Sequence, residues 1–381
     1  MGPLAGIRIV ELAGIGPGPM SAMLLADMGA TVLRVERRDA ADLGVKRPIQ
    51  YNLLLRNRRA IALDLKDPAA VELVLDLVEN ADALIEGFRP GVTERLGLGP
   101  DVCLERNPRL VYGRMTGWGQ TGPLASAAGH DINYISLTGT LNAIGRHGQP
   151  PSVPLALVGD FGGGAMFLVM GLLAAIIEAR GSGKGQVVDA AIVDGALALS
   201  TAIYGMHAGG LWHPERGSNV LDSGAPYYDV YACKDGKYIS IGPIEARFYS
   251  DLLQRLDLDA AELGNQNDTA AWPRAKEAFA RAFLGRTRDE WCAELEGTDV
   301  CFAPVLSFDE APQHPHMQAR GSFVEVDGVT QPAPAPRFSR TQPAVPTAPQ
   351  AASDATVFQA LSGWMDPATV GRWQESGVLG S

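Results

Sequence analysis

The chain of 381 residues is 46% hydrophobic and 20% charged, which favours a soluble, enzyme-like protein with two domains or one large elaborated domain. Its formal net charge of −11 argues against a nucleic-acid-binding protein, because phosphate contacts need a basic surface, but it permits an anionic ligand held by a few arginines. Four scattered cysteines without a CxxC pair, and an N-terminus without a signal-peptide pattern, predict a cytoplasmic protein without a structural zinc site.

The first third of the chain alternates predicted strands and helices. Gly6–Leu12 and "TVLRVE" are β-branched strands, separated by the loop "AGIGPGP" and an apolar helical run. Asp67–Asn80 has helical periodicity, with Asp67 as N-cap and Pro68 at the first helical position. Two further strands, "ADALIEG" and "RLVYGRMTG", follow. This order predicts an α/β fold with a doubly wound parallel sheet that binds its ligands at the carboxyl edge.

The remaining composition predicts the domain organisation. A large domain spans 1–188 and is completed by 330–381; a helical linker spans 189–221 and a small α+β domain 222–326, with a hairpin at "KDGK". A Pro/Ala-rich connecting strap follows at 327–353, and a last helix near Asp354–Trp364 returns to the large domain. The longest apolar run, Ala165–Ile177, is shorter than the roughly 20 residues of a membrane span, so it predicts a buried helix and no span.

The glycine loop "GIGPGP" stands where a dinucleotide-binding protein carries its phosphate loop. The fingerprint G-x-G-x-x-G is absent, because Ser21 occupies the position of the last glycine. Pro17 and Pro19 also remove backbone N–H groups that would bind a pyrophosphate. The loop therefore predicts a tight turn from strand to helix rather than a nicotinamide site.

Arginines recur near the ends of the predicted strands. Each alone is typical of a solvated surface charge, but together at one sheet edge they would form a local anion site in an acidic protein. Such a site favours a nucleotide-containing ligand with several phosphates over a single carboxylate. The arginines are Arg37, Arg38, Arg56, Arg58, Arg59, Arg89 and Arg95.

Two titratable residues stand out in apolar surroundings. Asp160, in "LVGDFGGGAMFLVMG", is predicted as the N-cap of a helix whose free N–H groups could also hold an oxyanion. His130, in "GHDINYISLTG", is either a hydrogen-bonded core residue or an acid–base group. The neighbouring Asp131 would point another way, so a base needs a distant carboxylate, and Glu245 in "GPIEARFY" is a candidate.

These stretches resemble the class III CoA-transferase family over almost the whole chain, and its racemase branch in particular. The segments "ELAGIGPGPMSAMLLADMGA", "EGFRPGVTERLGLGP", "RMTGWGQTGP" and "SGKGQVVDAAIVDG" carry the family resemblance, while "GHDINY", "GAPYY" and "IEARFY" carry that of the branch. The resemblance implies a homodimer of interlocked rings, with a Rossmann-like large domain and a small domain in each subunit. It implies an acyl-CoA substrate, no metal and no cofactor beyond the CoA of that substrate.

The resemblance also implies the site and its chemistry. Two groups, His130 and Asp160, would interconvert (R)- and (S)-2-methylacyl-CoA thioesters by 1,1-proton transfer. Glu245 of the partner chain would support the histidine. Asp131 would be a supporting residue whose role the resemblance does not specify. An apolar pocket and a helix dipole would oppose each other in setting the ionisation of Asp160. The positions that match CoA- or substrate-binding residues are Arg37, Leu63, Asp64, Leu65, Lys66, Arg89, Arg95, Gly129, Ile132, Asn133 and Tyr134.

One residue departs from the branch pattern. Ala156 stands where an asparagine is expected in "LNL", which leaves the rate, the substrate fit or the position of Asp160 open. Two alternatives remain: a CoA-transferase in which Asp160 is the acyl-accepting nucleophile, and a CoA-binding relative without activity, which only Ala156 supports. The first needs neither His130 nor Glu245. The acyl chain, a branched fatty acid or a steroid side chain, is not specified by the sequence.

Overall fold

The computed structural model describes residues 2–39 and 44–379. Two compact units are formed, one by Met1–Thr138, Leu155–Leu199 and Gly321–Ser381, the other by Gly139–Pro154 and Ser200–Arg320. The strands are β1 Arg8–Leu12, β2 Thr31–Arg37, β3 Arg59–Leu63, β4 Ala83–Glu86, β5 Val111–Thr116, β6 Gln186–Ala191, β7 Asp229–Ala232, β8 Tyr238–Ile241, β9 Phe302–Val305, β10 Phe323–Val326 and β11 Val329–Pro332.

Helices connect and cover these strands. The α-helices are α1 Pro17–Asp27, α2 Pro68–Glu79, α3 Val92–Arg95, α4 Pro100–Arg106, α5 Asp131–Leu137, α6 Thr140–Ala143, α7 Met166–Ser182, α8 Ile192–Leu199, α9 Thr201–Ala208, α10 Ala246–Arg255, α11 Ala260–Leu263, α12 Trp272–Phe283, α13 Arg288–Leu295, α14 Pro315–Ala319, α15 Asp354–Leu361 and α16 Pro367–Glu375. A π-helix, Leu157–Ala165, leads directly into α7. Single 3₁₀ turns lie at Ile49–Tyr51, Leu53–Leu55 and Ala311–Gln313.

The first unit is built on a six-stranded parallel sheet in the order β3-β2-β1-β4-β5-β6. The predicted α/β class and parallel sheet are confirmed, although β3 and β6 were not predicted as strands. Chain order reverses between β1 and β4, and such a switch point opens a crevice at the carboxyl ends of the strands. Asp67 caps α2 as predicted, since its side chain accepts from the Ala69 N–H at 2.9 Å.

The predicted buried helix after Asp160 needs correction in length and burial. The π-helix and α7 form one helical stretch, Leu157–Ser182, of 26 residues, which by length and composition alone could cross a membrane. One side of α7 packs on the sheet through Leu168, Leu172 and Ala175. The other side is apolar but exposed, as at Ile177, which is 73% exposed. A helix covering one face of a sheet buries only one side, so apolar composition alone overestimated its burial.

The second unit has a three-stranded antiparallel sheet, β7-β8-β9. The predicted hairpin at "KDGK" is confirmed, because Lys234–Lys237 connects β7 to β8 and Gly236 adopts φ +75°. Aromatic side chains fill the core between this sheet and its helices, with Tyr231 stacked on Phe283 at a centroid distance of 5.3 Å.

The C-terminal region returns to the first unit. Strands β10 and β11 form a hairpin, so the first residues of the predicted strap are paired, and the segment after it runs without helix or strand to Ser353. Helix α15 then packs on β3, and Val357, Leu361 and Trp364 join the core of the large sheet. The predicted return of a last helix is confirmed, and α16 follows it. The domain boundaries at 188, 221 and 326 stay predictions.

Candidate active site

His130 stands directly before α5, in a loop that follows β5. Its backbone is extended, with φ −134° and ψ 173°. The backbone N–H of His130 donates to Asn133 Oδ1 at 3.0 Å, and the Asn133 N–H donates to the His130 carbonyl at 2.8 Å. These reciprocal bonds fix the backbone at the helix start, while the residue itself is exposed. The histidine is therefore held in place without being buried, unlike a core histidine.

The aromatic ring of Tyr134 lies one turn further along α5. It packs edge-on against Trp118 at a centroid distance of 4.8 Å, and its hydroxyl donates to the Gly129 carbonyl. Burial and Asp160 raise the pKa of Tyr134, and Arg89 acts in the opposite direction. The tyrosine of the "GHDINY" segment thus has a pKa that depends on both Asp160 and Arg89.

Asp160 lies inside the π-helix rather than at its N-cap, which corrects the prediction. The helix begins at Leu157, and Ala156 occupies the N-cap position in a left-handed conformation, φ +62°. Phe161 is the first residue whose N–H closes a π-helical turn, to the Ala156 carbonyl at 3.2 Å. The helix begins earlier than predicted because the backbone turns at Leu155 and Ala156, a conformation that these residue types do not indicate.

Asp131 joins the His130 segment to the Asp160 segment. The Asp160 N–H donates to Asp131 Oδ1 at 2.7 Å, so this N–H is not available for the oxyanion role predicted for the helix start. Asp131 is buried, and its Oδ2 has no hydrogen-bond partner among the described residues. Gly159 permits the approach, because a Cβ there would lie 2.3 Å from Asp131 Oδ1.

The ionisation of Asp160 is set by its neighbours. Burial raises the pKa of Asp160 to about 6, with a further upward contribution from Asp131 and an opposing one from His130. A carboxyl group with this pKa exchanges protons near neutral pH. Asp160 can therefore act as an acid or as a base.

The glycine loop after β1 also reaches Asp160, which the sequence did not indicate. It is the predicted tight turn, with α1 starting at Pro17. A Cβ on Gly16 would lie 3.0 Å from Asp160 Oδ2, so the loop lines the carboxylate. The only signal in the sequence was the position of this loop at the carboxyl end of β1, beside the switch point.

Residues matched to CoA binding lie along the same carboxyl edge. Arg37 ends β2 beside Leu63 at the end of β3, and Asp64 Oδ1 accepts from the Lys66 N–H at 3.0 Å. The Arg37 guanidinium lies 5.7 Å from the Phe88 ring centroid, just after β4. Leu63 is buried, Leu65 is half-buried, and the charged residues are exposed. Arg89 follows β4 and Arg95 ends α3.

Two of the predicted arginines are buried away from this anion site, and two others bind backbone of the chain. Arg56 pairs with Asp27 in the interior and Arg58 pairs with Glu11 at 2.7 Å, both largely shielded from solvent. Arg59 binds the Gln359 carbonyl, and Arg38 donates to the Val378 carbonyl at 2.5 Å. The buried Arg56 and Arg58 are therefore not available for phosphates, whereas Arg38 and Arg59 are exposed and bind backbone carbonyls with part of their guanidinium groups.

Glu245 belongs to the second unit. It directly precedes α10, in an extended conformation, and is exposed. Its support of His130 across a dimer stays a prediction. Within residues 2–39 and 44–379, no group of three or more His, Cys, Asp or Glu side chains is arranged to hold a metal ion.

Comparison with known proteins assigns the chain to a family. The sequence model of CoA-transferase family III matches residues 4–355. The chain belongs to CoA-transferase family III. Within the family it is 45% identical to alpha-methylacyl-CoA racemase of Mus musculus, covering 91% of this chain and 88% of the mouse protein. It is 42% identical to the human protein of that name, with coverages of 90% and 88%.

Two further matches have lower sequence identity. Identity to acetyl-CoA:oxalate CoA-transferase of Acetobacter aceti is 29%, over 87% of this chain and 88% of that protein. A CAIB/BAIF family protein from Brucella suis superposes with a TM-score of 0.79 at 25% identity, covering 98% of this chain and 99% of that chain. The fold of the chain is therefore the fold of this family.

Proposed function

We propose that the chain is a racemase that interconverts (R)- and (S)-2-methylacyl-CoA thioesters. The observation that carries the proposal is a pair of acid–base groups on adjoining segments: an accessible His130, and Asp160 with a pKa of about 6. The high identity to two alpha-methylacyl-CoA racemases supports this reaction over the acid-to-acid transfer of more distant family members.

In the proposed mechanism, the two groups serve opposite faces of the carbon next to the thioester. One group removes the α-proton from one face, and the other returns a proton to the opposite face. Each group ends a turnover in the protonation state from which the other began, so the reaction runs in both directions. At neutral pH both forms of Asp160 are accessible because its pKa lies near 6.

The CoA part of the substrate would lie along the carboxyl edge of the large sheet. Arg37, Arg89 and Arg95 supply positive charge there in an acidic protein, and Leu63–Lys66 would line the adenosine. Gly129 and Ile132–Tyr134, which flank His130, would line the pantetheine and thioester. CoA enters as part of the substrate, and the proposed chemistry uses neither a metal nor a redox cofactor. The cytoplasmic location stays a prediction.

We further propose that the chain acts as an interlocked homodimer. Met166, Met170 and Ile177 form an exposed apolar side of α7, and Leu197 and Leu199 extend the exposed apolar surface on α8. Apolar surface of this kind is typical of a protein interface. In such a dimer, Glu245 of one chain would support His130 of the other.

The reaction is tested with an (R)-2-methylacyl-CoA in heavy water. A racemase incorporates deuterium at the α-carbon and forms both epimers. His130→Ala and Asp160→Ala should each lower the rate of epimer formation by at least about 1000-fold, because inversion needs one acid–base group on each face of the α-carbon. His147→Ala, which removes a histidine of the second unit paired with Glu215 at 2.9 Å, should leave the rate unchanged.

Two outcomes would contradict the proposal. Retention of the α-proton together with CoA transfer to an added carboxylic acid would identify Asp160 as the nucleophile of a CoA-transferase. Epimer formation at the wild-type rate by His130→Ala would show that the two-base assignment is wrong.

A further inference from the structure

We propose that Asp131 is a positioning residue for Asp160: its carboxylate caps the first turn of the π-helix and holds the Asp160 carboxyl group beside His130. This inference rests on the proposed function, in which Asp160 and His130 act as a pair. It assigns a positioning role to the Asp131 side chain, for which the sequence specified no role.

The π-helix leaves several N–H groups without a helical acceptor. Because a π-turn joins residues five apart, and Phe161 is the first donor, the N–H groups of Leu157–Asp160 have no acceptor within the helix. Ala156, at the N-cap position, has no side-chain acceptor to offer. The Asp131 carboxylate, from another segment of the chain, accepts the Asp160 N–H instead.

The hydrogen bond from the Asp160 N–H to Asp131 is short and shielded from solvent, so it can fix the position of Asp160. It measures 2.7 Å, Asp131 is only 6% exposed, and Gly159 leaves no side chain that could separate the two segments. Charge-assisted hydrogen bonds in buried surroundings are among the stronger ones. Since Asp131 directly follows His130, this one carboxylate ties the acid–base histidine to the acid–base aspartate.

Asp131 also acts on the proton affinity of Asp160. A second negative charge nearby disfavours ionisation, and Asp131 contributes to the raised pKa of Asp160 after burial. His130 opposes this effect, and the Tyr134 hydroxyl is a further titratable group that interacts with Asp160. Removing the charge of Asp131 should therefore lower the pKa of Asp160.

Charged groups on the other elements packed against the π-helix are engaged elsewhere or lie at the surface. Asp27 of α1 pairs with Arg56, and Arg114 of β5 pairs with Glu86. Asp189 of β6 accepts from the Gln120 N–H at 3.3 Å. The exposed charged residues on α7 and α8 are Glu178, Arg180 and Asp194.

The first test follows the Asp160 carboxyl group directly, without reference to activity. In the full-length protein labelled with carboxyl-¹³C aspartate, the Asp160 resonance is identified by its loss in Asp160→Asn. Its titration midpoint should lie near pH 6 in the wild type and move to lower pH by about one unit in Asp131→Asn, which keeps the shape but removes the charge. An unchanged midpoint in Asp131→Asn overturns the electrostatic part of the proposal.

The second test separates positioning from a general loss of stability. Asp131→Ala should lower kcat for epimerisation by about 100-fold with little change in KM, because the acid–base group is displaced while CoA contacts remain. Asp131→Asn should retain most of kcat, with the acid limb of its pH profile shifted to lower pH. Asp67→Ala, which removes a comparable helix cap on α2, should leave kcat and the pH profile unchanged.

The outcomes also distinguish this inference from the proposed function. A wild-type protein that exchanges no α-proton refutes the racemase proposal, while the NMR midpoints still test Asp131. If Asp131→Ala does not fold, Asp131→Asn carries both measurements. A kcat of Asp131→Ala within twofold of the wild type would overturn the positioning role.

Discussion

At the scale of single residues, arginine shows what the sequence can and cannot predict. Arg37 and Arg89 lie at the carboxyl edge of the sheet, as their positions after short strands indicated. Arg58 looked equivalent, but it is buried against Glu11, which is 47 residues away in the chain. A pattern of adjacent residues carries no information on such a distant partner. The His130 and Asp160 segments were identifiable because unusual residue types stood in apolar surroundings, whereas the link through Asp131 required coordinates.

The buried pair of Arg58 and Glu11 yields a stability prediction. Arg58→Met should lower the free energy of unfolding by about 3 kcal/mol, because the buried Glu11 carboxylate would lose its hydrogen-bonded partner and keep only the electrostatic attraction of Arg34. Urea denaturation followed by circular dichroism measures this loss. The double variant Arg58→Met with Glu11→Gln should recover at least half of it, since no uncompensated charge remains. Equal losses in the single and double variants would show that packing, rather than charge, stabilises this position.

At the scale of elements, the sequence predicted the strands and helices with clear periodicity and missed those without it. Helix α2 and strands β1, β2, β4 and β5 were correctly predicted. Strand β6, "QVVDAA", was not predicted, because its exposed polar residues weaken the apolar pattern. The π-helix was mistaken for an ordinary helix start, since its four glycines, Gly159 and Gly162–Gly164, lie in close tertiary contacts and give no periodic signal.

The left-handed conformation at Ala156 gives a prediction for this helix start. Alanine at φ +62° is disfavoured by about 1 kcal/mol, while asparagine and glycine tolerate this region, which supplies a backbone reason for the asparagine expected there. Ala156→Gly should therefore raise the free energy of unfolding by about 0.5–1 kcal/mol, and Ala156→Asn should change it in the same direction. Urea denaturation at constant pH measures the change.

Ala280→Gly, inside α12, is the matched control and should destabilise by about 1 kcal/mol, because a right-handed helix disfavours glycine. Destabilisation by Ala156→Gly of the same size would contradict the strain argument.

At the scale of the whole molecule, the exposed apolar residues on α7 and α8 are the feature that bears on assembly. The exposed side of α7 has residues of core character, yet nothing in the sequence alone distinguishes this helix from a fully buried one. The proposed dimer gives that surface a function. In the proposed dimer, Glu245 of one chain would support His130 of the other, although the two residues lie in different units of the chain.

The dimer is tested by sedimentation velocity. The wild-type chain of 40.3 kDa should sediment as a dimer, and Met170→Glu with Ile177→Glu should yield monomer or aggregate, because two charges would enter the apolar interface. Val102→Glu, on an exposed position of α4, serves as the control for adding a surface charge. A wild-type protein that sediments as a monomer at micromolar concentration would refute the dimer.

The packing of the C-terminal helix α15 on the large sheet affects the order in which the protein can fold during synthesis. Because Val357, Leu361 and Trp364 complete the core beside β3, the large sheet lacks part of its cover until these residues have emerged from the ribosome. The second unit ends at Arg320, so it can fold while the residues after it are still being synthesised. A chain truncated after residue 353, at the end of the strap, should therefore contain a folded second unit and an incompletely covered large sheet, and it should bind chaperones.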